Sequence, residues 1–564
     1  MSRSPTALVL AGTLAAASGV IAPRASAQPS APRASTRPSA SAAAPAPTLV
    51  VFITVDQLRE DYFDRFAAQL SGGLKRLATG GAFFVNAYHD HGVTETAPGH
   101  SVTMSGRFPA HTGILRNNAG VQDPQTPLVG SAPAVRLAGP APAPPPPAGP
   151  GASPFRFRGS TLIDWLRVKD PRSRALSVSR KDRGAILPLG RAKQEVYWYA
   201  ADEGSFTTST YYHDTLPDWV RRFNDRRLPQ RLAGAQWTLL LPDSAYHEAD
   251  SVALESGGKD FTFPHRLPAD TTEAAHLLGD FPQMDEVTVA LALDGVQSLG
   301  LGAGPQTDVL AVSLSSTDAV GHRFGMNSRE LHDQVLRVDR AIGVLLDSLN
   351  RLRDSSRIVV ALTADHGVAP YPELHFAGQR GATLRADLAP LVARYAERLA
   401  ARGLDSSAFD FETGMLFVDR AAFARAGVSA DSVLRAFASD ARRVPGVLRA
   451  DMVRDLARAD TVHDAIARRW LHALPTDLPV ALVVTLRPYV YWSGVTYATH
   501  GSPHDYDAHV PVIFYGSPFR PGRYRRTAGV VDMAPTLAAA AGVTPTERLD
   551  GRVLRDALRE VPRE

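Results

Sequence analysis

The chain has 564 residues, of which 44% are hydrophobic and 21% charged, with a formal charge of +4. That is globular composition, long enough for one large catalytic domain with insertions. So small a net charge, with no dense basic stripe, gives nucleic-acid recognition no support.

Cysteine is absent, so stability rests on core size, and any metal site must be built from His, Asp or Glu. Five lysines stand against 56 arginines. A lysine inside a motif is therefore notable as a compact point charge, although surface retention explains any one of them alone.

In chain order, Arg3 precedes the apolar run "ALVLAGTLAAASGVIA", and "ASA" follows at 25–27. This reads as a secretory signal over 1–27, cleaved before Gln28, and predicts export to the periplasm or medium. The run is too short and too rich in small residues for a retained anchor, and no other run could span a bilayer. Residues 28–47 form an Ala/Pro/Ser tether. The catalytic domain is expected over 48–564.

That domain opens with "TLVVFITVD", a buried strand ending at Asp56, followed by the amphipathic segment "LREDYFDRFAAQLSGGLKRLA". Next comes "TETAPGHSVTMSG" (94–106), where Thr96 stands two residues before Pro98 at the start of a predicted helix. A hydroxyl there is ordinarily a cap, but a helix N-terminus also suits phosphate. "GILRNN" brings Asn117, by itself a typical turn residue. The stretch 131–154 is proline-rich and reads as a loop insertion. "SRKDRGAILPLG" places Lys181 and Arg183 two apart, which on an extended segment would project both to one face.

Two more strands end in acid. "TDVLAVSLSSTD" reaches Asp318, and "RIVVALTAD" reaches Asp365. Between them, "SRELHDQVLRVDRAIGVLLDSLNRL" sets Leu331, Val335, Val338, Ile342, Leu345 and Leu349 on one helical stripe. Residues 370–490 read as a small α+β insertion. "YATHGSPHDYDAHVPVIFYG" then offers His500, His504 and His509 before an apolar strand.

These alternations predict an α/β fold with a mostly parallel central sheet and helices on both faces. Sites in such sheets form beyond the carboxyl ends of the strands. A lone Asp after a strand is usually a cap. Here three converge, two with partners: Asp318 with His322 four residues on, and Asp365 with His366. Carboxylate and imidazole together suit zinc better than magnesium or calcium, and five ligands exceed one tetrahedral site, so two metals are expected. One of the three later histidines could complete the set; Gly501 beside it favours His500. A hydroxyl such as that of Thr96 needs a metal or base to become a nucleophile. Lys181 and Arg183 could grip phosphate oxygens, and the Asn117 amide could donate to one.

Together these stretches resemble the alkaline phosphatase superfamily, and within it the phosphate-irrepressible, threonine-nucleophile alkaline phosphatases of bacteria. The matching segments, from "VVFITVDQLREDYFDRF" to "THGSPHDYDAHVPVIFYG", span most of residues 48–516, and the tail "VVDMAPTLAAAAGV" resembles the superfamily's closing helix. The resemblance implies that Asp56, Thr96, Asp365 and His366 bind one Zn2+ and that Asp318, His322 and His500 bind a second. It also implies Thr96 as nucleophile and Asn117, Lys181 and Arg183 as the phosphoryl-binding trio. The related nucleotide pyrophosphatase/phosphodiesterases lack that lysine–arginine pair.

The expected activity is hydrolysis of phosphate monoesters, with small phosphorylated molecules as partners. Three alternatives stand beside it: a phosphodiesterase or nucleotide pyrophosphatase with the same metals, a non-catalytic phosphate or metal binder, and a phosphomutase, which an export signal disfavours. Nothing in the sequence indicates an oligomeric state.

Overall fold

The computed structural model describes residues 46–129 and 151–559. The expected signal, the tether through residue 45 and the proline-rich stretch through residue 150 lie outside the described residues.

The frame is a sheet of nine strands: β1 (Leu49–Val55), β2 (Ala82–Phe84), β3 (Ala175–Ser179), β4 (Glu195–Ala200), β5 (Ser205–Thr207), β6 (Asp308–Leu314), β7 (Ile358–Thr363), β8 (Val512–Tyr515) and β9 (Gly522–Tyr524), in the order β9-β2-β8-β7-β1-β6-β3-β4-β5. The five central strands, β7 to β4, are all parallel. β8 and β5 close that block antiparallel on either side. Every residue of β1, β6 and β7 is buried, so both faces of the sheet are covered, as runs of Val, Ile and Leu require.

Four helices matter most for the site: α1 (Thr96–Thr103), α2 (Gln283–Leu299), α3 (Ser316–Phe324) and α4 (Arg329–Leu352). All six residues of the stripe expected on α4 are buried. The amphipathic segment after β1 is not one helix. It breaks into Tyr62–Arg65 and Gly73–Gly80, because the backbone N–H groups of Ser71 and Gly72 turn to donate to Asp339 of α4, at 2.8 and 2.6 Å.

Between β7 and β8 the strands Phe409–Glu412, Met415–Val418, Val480–Leu486 and Val447–Met452 form, in that order, a second, antiparallel sheet. It has its own apolar cluster, built on residues such as Leu416, Phe437 and Leu482. Its hairpin tip reaches the main domain, where Glu412 forms an ion pair with Arg116 and accepts from Asn118 Nδ2 at 3.1 Å.

The central strands end in register: Val55 lies opposite Leu314, Thr54 opposite Thr363 and Ser313 opposite Ser179. Whatever follows β1, β6, β7 and β3 is therefore delivered to one edge. Helix α1 is pressed against that edge. A Cβ on Gly99 would lie 2.2 Å from the carbonyl oxygen of Asp365 and 2.8 Å from its Cβ. Gly99→Ala should accordingly destabilise the protein by about 1–3 kcal/mol through overpacking. Thermal unfolding measures this, and an unchanged Tm would contradict so close an approach.

Candidate active site

Asp56 follows β1 directly, Asp318 and His322 lie four apart on α3, and Asp365 and His366 follow β7 on a loop. The i, i+4 spacing on α3 aims both side chains one way, with His322 Nε2 3.3 Å from Asp318 Oδ1. His500 completes this group: its Nε2 is 3.6 Å from Asp318 Oδ1 and 3.2 Å from His322 Nε2. Asp318, His322 and His500 form one cluster able to hold a metal ion. His504 and His509 face elsewhere, bonded to the carbonyls of Leu486 and Val85.

A second cluster able to hold a metal ion consists of Asp56, Asp365 and His100. His100 joins the two expected carboxylates here, and its hydrogen bonds show how it is held. Nδ1 faces the carbonyl of Thr96 at 2.9 Å, which can only accept, so Nδ1 carries a proton. Nε2 meets Ser313 Oγ at 3.1 Å, while that hydroxyl itself donates to Asp56 Oδ1 at 3.0 Å, so Nε2 also donates. Burial opposes the charge on this ring, but the nearby carboxylates of Asp365 and Asp56 outweigh it and raise its pKa. His100 thus stands between the two carboxylates, 3.6 Å from Asp56 Oδ1 and 3.4 Å from Asp365 Oδ2.

His366 is the complement. Burial, ahead of the opposing pull of Asp365, lowers its pKa to about 3, so the ring is neutral. Nδ1 is engaged with the Gly367 carbonyl at 2.9 Å, and the fully buried Nε2 has no hydrogen-bond partner. That Nε2 lies 3.4 Å from Asp365 Oδ2, also without a hydrogen-bond partner, and 3.8 Å from Asp318 Oδ1. His322 and His500 share only the Nδ1 arrangement, bonded to the carbonyls of Ala498 at 2.5 Å and Thr94 at 2.7 Å. In all three rings the carbonyl bond at Nδ1 turns Nε2 toward the site, the orientation that such bonds give to metal-binding imidazoles. The unpartnered oxygen and nitrogen atoms, and a donor set of Asp oxygen and His nitrogen, fit zinc.

Lys181 joins the two clusters. Its Nζ lies 2.9 Å from Asp56 Oδ2, 2.7 Å from Asp318 Oδ2 and 3.4 Å from Thr96 Oγ1. Thr96 is the first residue of α1 and is fully buried. Asn117 stands against the same helix start: its Oδ1 accepts from Ala97 N at 2.8 Å, which leaves Nδ2 as its unused donor. The Lys181–Arg183 segment is not extended as expected. Asp182–Ile186 is a short helix, and Asp182 Oδ1 accepts from the Arg183 N–H at 2.6 Å. Lys181 and Arg183 nevertheless share the wall of a recess of about 520 Å³, and Arg183 Nε has no hydrogen-bond partner.

The family model described as type I phosphodiesterase / nucleotide pyrophosphatase matches residues 50–382. The chain belongs to this family. It is 31% identical to the alkaline phosphatase PhoV of Synechococcus elongatus, over 91% of this chain and 93% of that one. A protein of Myroides odoratus named as a calcium-transporting ATPase is 32% identical, over 87% and 91% of the two chains. No helix among the described residues here is long and apolar enough to cross a membrane. The crystal structure of the alkaline phosphatase PafA superposes with a TM-score of 0.82 at 26% identity, covering 91% of this chain and 99% of that one.

If the two clusters hold metal, the folded state must bind it more tightly than the unfolded chain. Zinc at about 100 times its Kd should then stabilise chelator-treated protein by about 2.7 kcal/mol. A Tm indifferent to both chelator and zinc would contradict this.

Proposed function

We propose that this protein is an exported alkaline phosphatase, hydrolysing phosphate monoesters of small molecules through a phosphothreonine formed on Thr96. One observation carries the reading. The Thr96 hydroxyl lies 3.4 Å from the Lys181 ammonium, which also contacts one carboxylate from each of the two clusters. The relatives named alkaline phosphatase, matched over most of the chain, support the reaction class. The signal-like pattern at 1–27 supports export.

In this reading Asp56, Thr96, Asp365 and His366 would hold one zinc ion and Asp318, His322 and His500 the other. Bound there, the pair would supply Lewis-acid charge that favours the alkoxide and offsets charge on the leaving oxygen. The chain's own groups do the positioning. Asn117 Oδ1 pins the start of α1, setting the direction from which Thr96 Oγ1 meets phosphorus. Lys181 keeps positive charge beside that oxygen, and Arg183 offers a guanidinium to the phosphoryl oxygens. As the Thr96 Oγ1–phosphorus bond forms, the bond to the leaving oxygen breaks, and that oxygen takes a proton from solvent. Water then attacks the phosphothreonine, releasing inorganic phosphate and restoring the hydroxyl.

A second reading, phosphodiester or nucleotide pyrophosphate hydrolysis, is favoured by the family model's own description. Lys181 and Arg183 argue for the monoester, whose dianionic phosphoryl group carries more charge than a diester's. An aryl phosphate and an aryl phosphodiester assayed side by side distinguish the two. Thr96→Ala should lose turnover by several orders of magnitude. Lys181→Ala combined with Arg183→Ala should cost monoester turnover far more than diester turnover, and equal losses would reject the monoester assignment.

A further inference from the structure

Gln57, next to Asp56, has the backbone of a residue under constraint. Its φ is +65°, in the left-handed region that a side chain other than glycine's seldom adopts, and it is completely buried. Such strain persists only where surrounding contacts over-determine it. Here those contacts lead to both clusters. The backbone N–H donates to Asp365 Oδ1 at 3.0 Å, and the side-chain Nε2 donates to Asp318 Oδ1 at 2.9 Å. One residue therefore holds a carboxylate from each candidate cation site.

The amide orientation follows from chemistry. Asp318 Oδ1 is a carboxylate oxygen, so the group facing it must be the amide nitrogen. Oε1 is thereby turned onto α3, where it is buried without a hydrogen-bond partner. Position 321, immediately before His322, is glycine. A Cβ there would sit 1.7 Å from Gln57 Oε1. The helix that carries Asp318 and His322 is thus hollowed at the place where this amide rests. On Asp365, the bond from Gln57 occupies Oδ1 and leaves Oδ2 as the oxygen turned toward His100 and His366.

We propose that Gln57 is a positioning residue that ties the two cation sites to each other. It fixes which oxygen of Asp365 faces its cation and holds Asp318 in line with His322 and His500. The positive φ makes this possible. It turns the chain straight out of β1, so that backbone and side chain of a single residue point at carboxylates from two different strand ends. The inference rests on the two-metal reading above.

Three variants test it. Gln57→Gly keeps the backbone N–H and relaxes the positive φ while deleting the bond to Asp318. Gln57→Glu puts a carboxylate where an amide donor stood. Gly321→Ala displaces the amide without altering Gln57. Each purified protein is loaded with zinc, then assayed for metal stoichiometry, zinc affinity against a competing chelator, Tm and aryl phosphate hydrolysis.

Gln57→Gly should keep the wild-type Tm within a few degrees, yet bind zinc and turn over substrate about 10- to 100-fold more weakly, the usual cost of losing an outer-shell partner. Gly321→Ala should share the defect, and Gln57→Glu should exceed it. Wild-type zinc affinity and turnover in Gln57→Gly would overturn the proposal, whether or not the other two variants fold. If the wild-type chain itself bound no zinc and hydrolysed no phosphate ester, the two-metal reading would fail instead.

Discussion

Three buried carboxylates crowded at one edge of the sheet are the constraint on which this structure depends. Asp56 and Asp365 are completely buried and Asp318 nearly so. A carboxylate taken out of water is costly unless it is paired and hydrogen-bonded. Positive charge gathers there in answer: the Lys181 ammonium contacts Asp56 and Asp318, and, against burial, the carboxylates raise the pKa of both His100 and His500. Asp365 Oδ2 and His366 Nε2 still have no hydrogen-bond partner, and these are donor atoms that a bound cation would use.

The sheet makes such crowding feasible. Parallel strands in register bring their carboxyl ends together, so β1, β6, β7 and β3 converge on one place although their sequence positions run from 49 to 363. The tight spots are backbone against backbone. Gly99 lets α1 press onto Asp365, and a Cβ on Gly367 would strike the carbonyl of Tyr506 at 2.3 Å. The smaller sheet adds reach through Glu412, which holds Arg116 and Asn118 on either side of Asn117.

Much of this is legible in the amino-acid sequence, for a physical reason. Strands buried on both faces are continuous apolar runs, and an aspartate ending such a run is conspicuous. Asp56, Asp318 and Asp365 therefore announce themselves, and His322 follows from helical spacing. Spacing alone does not separate His500 from His504 and His509, all within ten residues; the adjacent Gly501 favours it, and its Nε2 stands beside Asp318. His100 was visible in "TAPGH" but not its role, which depends on Ser313, a residue more than two hundred positions away. Gln57 gives no local signal at all, because a positive φ at glutamine has no compositional mark. The helical turn at Asp182 is a short-range hydrogen bond that reading Lys181 and Arg183 as alternating strand positions overlooks.

The reading stands on paired cations set against the oxygen of Thr96. Diffraction from crystals of the zinc-loaded protein, recorded at the zinc absorption edge, tests it most directly. Two anomalous peaks should appear, one about 2.0–2.2 Å from ligand atoms of Asp56, Thr96, Asp365 and His366 and the other at the same distance from Asp318, His322 and His500. A single peak, or two that both avoid the Thr96 hydroxyl, would contradict it.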